Sequence, residues 1–140
     1  MRNADFYLIE QPRFREQPLR LVCELARRAL GARLPTLILT RSQAQAEALD
    51  ELLWAFDDEA FVPHQIAGDD DDRITPVLIV PPEVRAEPRP LVINLRDQCV
   101  PFDVESIKEV VAAEATEREG SRLRWREYQK RGYALRKFDM

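Results

Sequence analysis

Few residues of this chain are of the kind that breaks or makes bonds. The one histidine, His64, stands in Phe61-Val-Pro-His64. No serine or cysteine elbow accompanies it to complete a nucleophilic triad. A lone histidine after proline reads as a hydrogen-bonded structural residue. Cys23 and Cys99 are far apart and form neither a CxxC pair nor a ligand cluster, so they read as buried thiols. Four consecutive aspartates, Asp69 to Asp72, cannot all turn toward one cation from an extended loop, and they lack the alternation of a calcium loop. They read as a solvated turn.

Phosphate chemistry fares no better. The glycines are Gly31, Gly68, Gly120 and Gly132. A dinucleotide fingerprint or phosphate loop needs glycines at a strand–helix turn, where the main chain must approach the phosphates closely. The first such turn here, Glu10 to Gln17, has none. No metal, cofactor or catalytic residue is expected.

Two other groups of residues suit recognition. Trp54 and Phe61 bracket a helix end and the loop beyond it, with Phe56, Val62 and Pro63 nearby. Exposed aromatics mark interfaces, while the same residues turned inward would close the core. The spacing leaves both readings open. The second group is Arg118, Arg122, Trp125, Arg126 and Gln129. Steps of three and four place them along one side of a helix. Arginines around an aromatic suit a peptide with carboxylates and an apolar end. A solvated basic face with Trp125 turned inward would give the same pattern.

The elements that position these residues alternate between strand and helix. Phe6–Ile9 is a short apolar run that reads as a buried strand. A helix follows from Pro18, with Leu21, Val22, Leu25, Ala26 and Ala29 as its stripe and Gly31 as its stop. Thr36–Leu39 is a second strand. Ser42 and Gln45 form a capping box for a helix that buries Leu49, Leu53 and Phe56. Val77–Val80 and Leu91–Leu95 are further strands, joined by a proline-rich surface loop. Ser106–Val111 reads as a fifth strand. Glu114 to Arg131 is a charged helix that ends at Gly132, with Gly120 weakening its first turns by about 1 kcal/mol. This order predicts an α/β domain with a largely parallel, mononucleotide-binding-like (Rossmann-like) sheet flanked by helices, closed by a basic C-terminal helix. One domain over residues 1–140 is expected.

The 140 residues are 45% hydrophobic and 33% charged, an ordinary globular composition. No apolar run reaches a membrane-spanning length and no signal-peptide core opens the chain, so a cytoplasmic location is expected. Between Arg118 and Phe138, eight basic residues face only Glu119 and Glu127. That balance of +6 leaves −10 on the rest of a chain whose net charge is −4. An acidic body with one basic segment suits a specific anionic partner better than whole-surface nucleic-acid binding.

Several segments together resemble the chi subunit family of bacterial DNA polymerase III: Phe6-Tyr-Leu8, Leu21–Ala26, Ala46–Trp54, Phe61–Gly68, Leu91–Leu95 and Arg124-Trp-Arg-Glu-Tyr128 before Gly132-Tyr133. The resemblance runs in order from Phe6 to Tyr133 and is most specific from Leu49 to Gly68. It implies a mononucleotide-binding-like fold that has lost its nucleotide, and a non-catalytic clamp-loader accessory subunit in DNA replication. It implies two partners, with DNA reached only indirectly and no membrane. The psi subunit, in a 1:1 heterodimer, would meet Trp54 and Phe61 with Val62 and Pro63. The acidic C-terminal tail of single-stranded-DNA-binding protein, which ends in phenylalanine, would meet Arg122, Trp125, Arg126 and Arg118. The family usually carries tyrosine and lysine where Trp125 and Arg126 stand. Both changes keep an aromatic face and a positive charge. Two rival readings remain at this point: a divergent RecA- or helicase-like ATPase fragment, suggested by Thr40-Arg41 with Ala44–Leu53, and a direct single-stranded nucleic-acid binder.

Overall fold

The computed structural model describes residues 2–55 and 62–140. Its element order is β1 (Asn3–Leu8), α1 (Pro12–Glu16), α2 (Leu19–Gly31), β2 (Thr36–Leu39), α3 (Gln43–Ala55), β3 (His64–Ile66), β4 (Val77–Val80), β5 (Leu91–Asn94), β6 (Ser106–Val111), α4 (Ala115–Lys130) and β7 (Ala134–Asp139). The strands form one sheet in the order β3-β4-β2-β5-β6-β1-β7. Every strand pair in it is parallel. The three apolar runs β2, β4 and β5 are buried on both faces, as a parallel sheet covered on each side requires.

Two cores flank the sheet. On one face α1, α2 and α3 bury Phe14, Leu21, Val22, Leu25, Leu49 and Leu53 against Ile38, Ile79 and Ile93. On the other, α4 lays Tyr128 over Phe6, Val92 and Ile107. β7 adds to β1 at the margin of the sheet. Its burial is slight, but Arg136 makes a two-pronged contact with the buried Asp5 carboxylate at 3.0 Å on each prong. Phe138 stacks on Tyr7 with ring centres 5.1 Å apart. These two anchors hold a strand that the hydropathy pattern alone does not mark.

Helices α2 and α4 end in the same way with different residues. In α4, Gly132 sits at φ 89°, its N–H donates to Gln129 and the Tyr133 N–H donates to Tyr128, a Schellman cap. In α2 the equivalent residue is Arg33, at φ 57°, with Arg33 N–H on Leu30 and Leu34 N–H on Ala29. The expected stop at Gly31 therefore falls two residues early; Gly31 is the last residue of the helix itself. The box that opens α3 is also displaced. Ser42 Oγ accepts from the Gln45 N–H at 3.0 Å, while Gln45 Oε1 reaches past Ser42 to the Arg41 N–H at 2.8 Å.

Candidate functional site

The carboxyl end of the sheet is where folds of this class hold nucleotides. Here a cleft lined by Ile9, Leu95, Val110 and Glu114 is spanned by Arg41. Its Nε donates to the Leu95 carbonyl at 2.6 Å, Nη1 to Glu117 at 3.0 Å, and Nη2 lies 2.9 Å from Asp97. The hydrogen bond from Arg41 holds the Glu117 carboxyl below the usual carboxylate range. A guanidinium tied to two carboxylates offers little to a phosphate, and glycine is absent from the lining.

His64 is structural, as expected. Its ring is buried between the Val62 carbonyl, 2.7 Å from Nδ1, and Asp50, whose Oδ1 lies 3.1 Å from Nε2. Burial pushes the Cys23 thiol up to about 12, out of the reactive range. Both cysteines are unpaired. The aspartate run forms a 3-10 turn, Asp70–Arg73, and caps itself: Asp72 accepts from the N–H groups of Gly68 and Asp69 and from Gln65.

The C-terminal helix is built from beneath. Position 109 on β6 carries a glutamate that is fully buried between Ile107 and Val111. Glu109 accepts from Arg124 Nε at 2.9 Å, from Tyr128 Oη at 2.6 Å and from Asn94 Nδ2 at 2.7 Å. Arg124 Nη1 also donates to the Asp97 carbonyl, and Tyr128 Oη accepts from the Val100 N–H. Burial pushes the Glu109 carboxyl up, against the pull of Arg124 and its hydrogen-bond donors, and pushes the Tyr128 hydroxyl up as well. Arg124, one of the eight basic residues of the segment, is therefore an internal strut and no part of a solvated face. A polar network with this many satisfied members fixes the helix in one rotational setting.

With the 121–124–128 stripe turned inward, the neighbouring stripe faces the margin of the sheet. There Arg118, Arg122, Trp125 and Arg126 line one groove of about 370 Å³ with Phe6, Leu8 and Lys137. All four residues expected from the sequence are thus brought together. Trp125 lies on its flank against Phe6, ring centres 5.1 Å apart, and forms an apolar wall. Arg122 and Arg126 are exposed. Among the described residues Arg122, Arg126 and Lys137 make no side-chain hydrogen bond or ion pair. Arg118 differs: its Nη2 donates to the Ile9 carbonyl at 2.8 Å, and its buried Nε has no acceptor. The spacing did not assign Lys137 or Phe6 to this groove. Lys137 comes from the unforeseen strand β7, and Phe6 was legible only as a core residue.

The aromatic group is brought together in part. Trp54 lies at the last turn of α3, 59% exposed, with its ring 4.9 Å from that of His64. Phe56 and Phe61 lie outside the described residues. Val62 is not at the surface: it is 1% exposed, in the core with Leu49 and Leu53. It can act on this surface only by positioning its neighbours. Pro63 is half-buried and its carbonyl accepts from Val77 at the start of β4.

The family model described as DNA polymerase III chi subunit, HolC, matches residues 1–136. Curated DNA polymerase III chi subunits of Pseudomonas aeruginosa and Escherichia coli are each 32% identical, covering 96% of this chain and 94% and 96% of their own lengths. That of Haemophilus influenzae is 35% identical over 83 residues, covering 59% of this chain and 58% of its own. Among solved structures, the C-terminal domain of the DEAD-box protein Dbp5 superposes with a TM-score of 0.67 at 11% identity. It covers 99% of this chain and 90% of that one. The fold is therefore RecA-like, and at that identity the likeness concerns fold alone.

Proposed function

This chain belongs to the DNA polymerase III chi subunit family, and from that membership we propose that it serves replication as a non-catalytic cytoplasmic adaptor with two docking surfaces. One is the α4 groove. It takes the acidic, phenylalanine-ended tail of single-stranded-DNA-binding protein. The other is the Trp54 surface at the end of α3, which takes the psi subunit as a 1:1 heterodimer. DNA is engaged only through these partners.

The observation that carries this reading is the groove itself. Arg122, Arg126 and Lys137 surround an apolar wall of Trp125 and Phe6. Carboxylates would meet the cations, and an apolar terminus would meet the wall. The two surfaces lie on different helices, α4 and α3, which cover opposite faces of the sheet, so both partners fit at once. The ion-paired Arg41 across the carboxyl-end cleft supports the absence of nucleotide chemistry.

The test is a sequential-capture experiment. Cognate psi is immobilised, this chain is captured on it, and a fluorescent tail peptide is then added. The expected result is retention of peptide at one per captured chain, lost when the terminal phenylalanine is removed. Release of the chain from psi on peptide addition would refute the bridge. Saturable ATP binding in calorimetry would refute the non-nucleotide reading.

A further inference from the structure

Trp54 stands at the amino-terminal edge of the sheet, at the last turn of α3, against His64, the first residue of β3. The indole is 59% exposed, whereas the His64 side chain is fully buried. Both ring nitrogens of His64 have partners, and every one of those partners is an acceptor. Nδ1 lies 2.7 Å from the Val62 carbonyl oxygen. Nε2 lies 3.2 Å from the Asp50 carbonyl oxygen and 3.1 Å from Asp50 Oδ1.

A neutral imidazole has one N–H and one bare nitrogen. In either tautomer the bare nitrogen here faces oxygen lone pairs, in a buried place where water does not replace the lost hydrogen bond. The imidazolium has two N–H groups and satisfies both sides at once. The Asp50 carboxylate on α3 supplies its counter-charge. The neighbouring strand β4 brings only Val77, Leu78, Ile79 and Val80, and β3 itself continues as Gln65 and Ile66. Gln65 points to the opposite face of the strand, where it holds Asp72. Glu47 and Glu51, the other acidic residues of α3, are exposed. Among the described residues, Asp50 is therefore the charged group that meets the ring. The Trp54 ring centre lies 4.9 Å from that of His64, with the planes tilted by 59°. That is within reach of a cation–π contact, for which tryptophan is the best partner. Such a contact exists only while the ring is charged.

We propose that His64 is held as the imidazolium and is a positioning residue for the exposed Trp54 surface, so that the setting of this surface responds to pH. While both ring nitrogens carry protons, His64 ties the Val62 carbonyl to Asp50 of α3 and holds the indole against its charged ring. When pH rises and one proton leaves to solvent, one of the two ties is lost and the cation beside Trp54 disappears. The indole is then released from its setting. This device belongs to the isolated chain and requires no partner.

The experiment follows the full, untagged chain from pH 5 to pH 10 by two signals. Nitrogen NMR of the isotope-labelled, unsubstituted chain reports the protons on the imidazole, and His64 is the one histidine, so its signals assign themselves. In Trp125→Phe, Trp54 is the one remaining tryptophan. Its emission reports the ring beside it, because an imidazolium quenches indole fluorescence more strongly than a neutral imidazole. The expected result is two protonated ring nitrogens at the acid end. As pH rises, one of them should move to the far-downfield shift of a bare nitrogen, and Trp54 emission should rise through the same midpoint. Asp50→Asn removes the counter-charge and should move both transitions to lower pH. His64→Gln, made in the Trp125→Phe chain, should abolish the emission transition. A bare ring nitrogen at every pH would overturn the charged His64. Two protonated nitrogens throughout, or an emission change that departs from the ring titration or persists in His64→Gln, would overturn the response of the surface to pH.

Discussion

The α4 flank and the amino-terminal edge, the two regions proposed for docking, lie on one small sheet and are made in opposite ways. The α4 groove presents cations and stands on a buried ionic network in which Glu109 is satisfied by Arg124, Tyr128 and Asn94. The amino-terminal edge presents Trp54, Ile74 and Leu34 and stands on helix ends, one of them held by a non-glycine residue at positive φ. Charge-assisted contacts are screened by salt and depend on side-chain direction, so the helix that carries them has to be locked in rotation. Apolar contact is non-directional, so the edge needs area more than a locked scaffold.

That contrast is broken most severely from beneath α4. Replacing Arg124 by Met leaves the Glu109 carboxylate buried without its counter-charge, which should cost about 3–5 kcal/mol of stability. Burial already raises the Glu109 carboxyl above its ordinary value, and loss of Arg124 raises it further. A carboxyl raised in the folded state favours folding at low pH and loses that advantage as pH climbs through the folded value. The deficit of Arg124→Met in urea melts should therefore be smaller at pH 5 than at pH 8. An equal deficit at both would mean that Glu109 is not held by Arg124.

The next largest effect belongs to the edge. Trp54→Ala should weaken psi binding at least about 30-fold, from the roughly 2 kcal/mol or more of an interface aromatic. It should leave the thermal midpoint nearly unchanged, because the ring is more than half exposed. Collapse of the midpoint would instead make Trp54 a support for His64 and the core.

A smaller effect sharpens the comparison between the two helix ends. Arg33→Gly gives α2 the residue that α4 already has at Gly132, and should raise stability by roughly 0.5–1 kcal/mol. A midpoint higher by a few degrees is the expected result in a thermal melt. A lower midpoint would show that the Arg33 side chain holds the edge together.

Much of this architecture is legible in the residues, and the omissions have physical reasons. β2, β4 and β5 are continuous apolar runs because both their faces are covered. β7 escaped because it lies at the sheet margin with charges at Arg136, Lys137 and Asp139 that break any apolar alternation, and its attachment comes from Asp5–Arg136 and Tyr7–Phe138, contacts between chain ends. β3 has three residues and α1 has five, too few for a period. The spacing of Arg118, Arg122, Trp125 and Arg126 did place them on one flank. It could not say that Arg124 points inward, since a buried arginine and a solvated one look alike until Glu109 is brought beneath it. Val62 shows the reverse: grouped by sequence with Trp54 and Pro63 as a contact residue, it is sealed in the core.

The most direct test of the account is a fluorescence-anisotropy titration of a labelled acidic tail peptide against wild type, Arg122→Ala and Trp125→Ala across a salt series. Arg122 is exposed and its contribution is screened, so Arg122→Ala should bind several-fold more weakly at low salt and converge on wild type as salt rises. Trp125 contributes area against Phe6, so Trp125→Ala should lose about the same factor at every salt concentration. Wild-type affinity of Arg122→Ala at low salt would contradict the assignment of the α4 groove as the tail site.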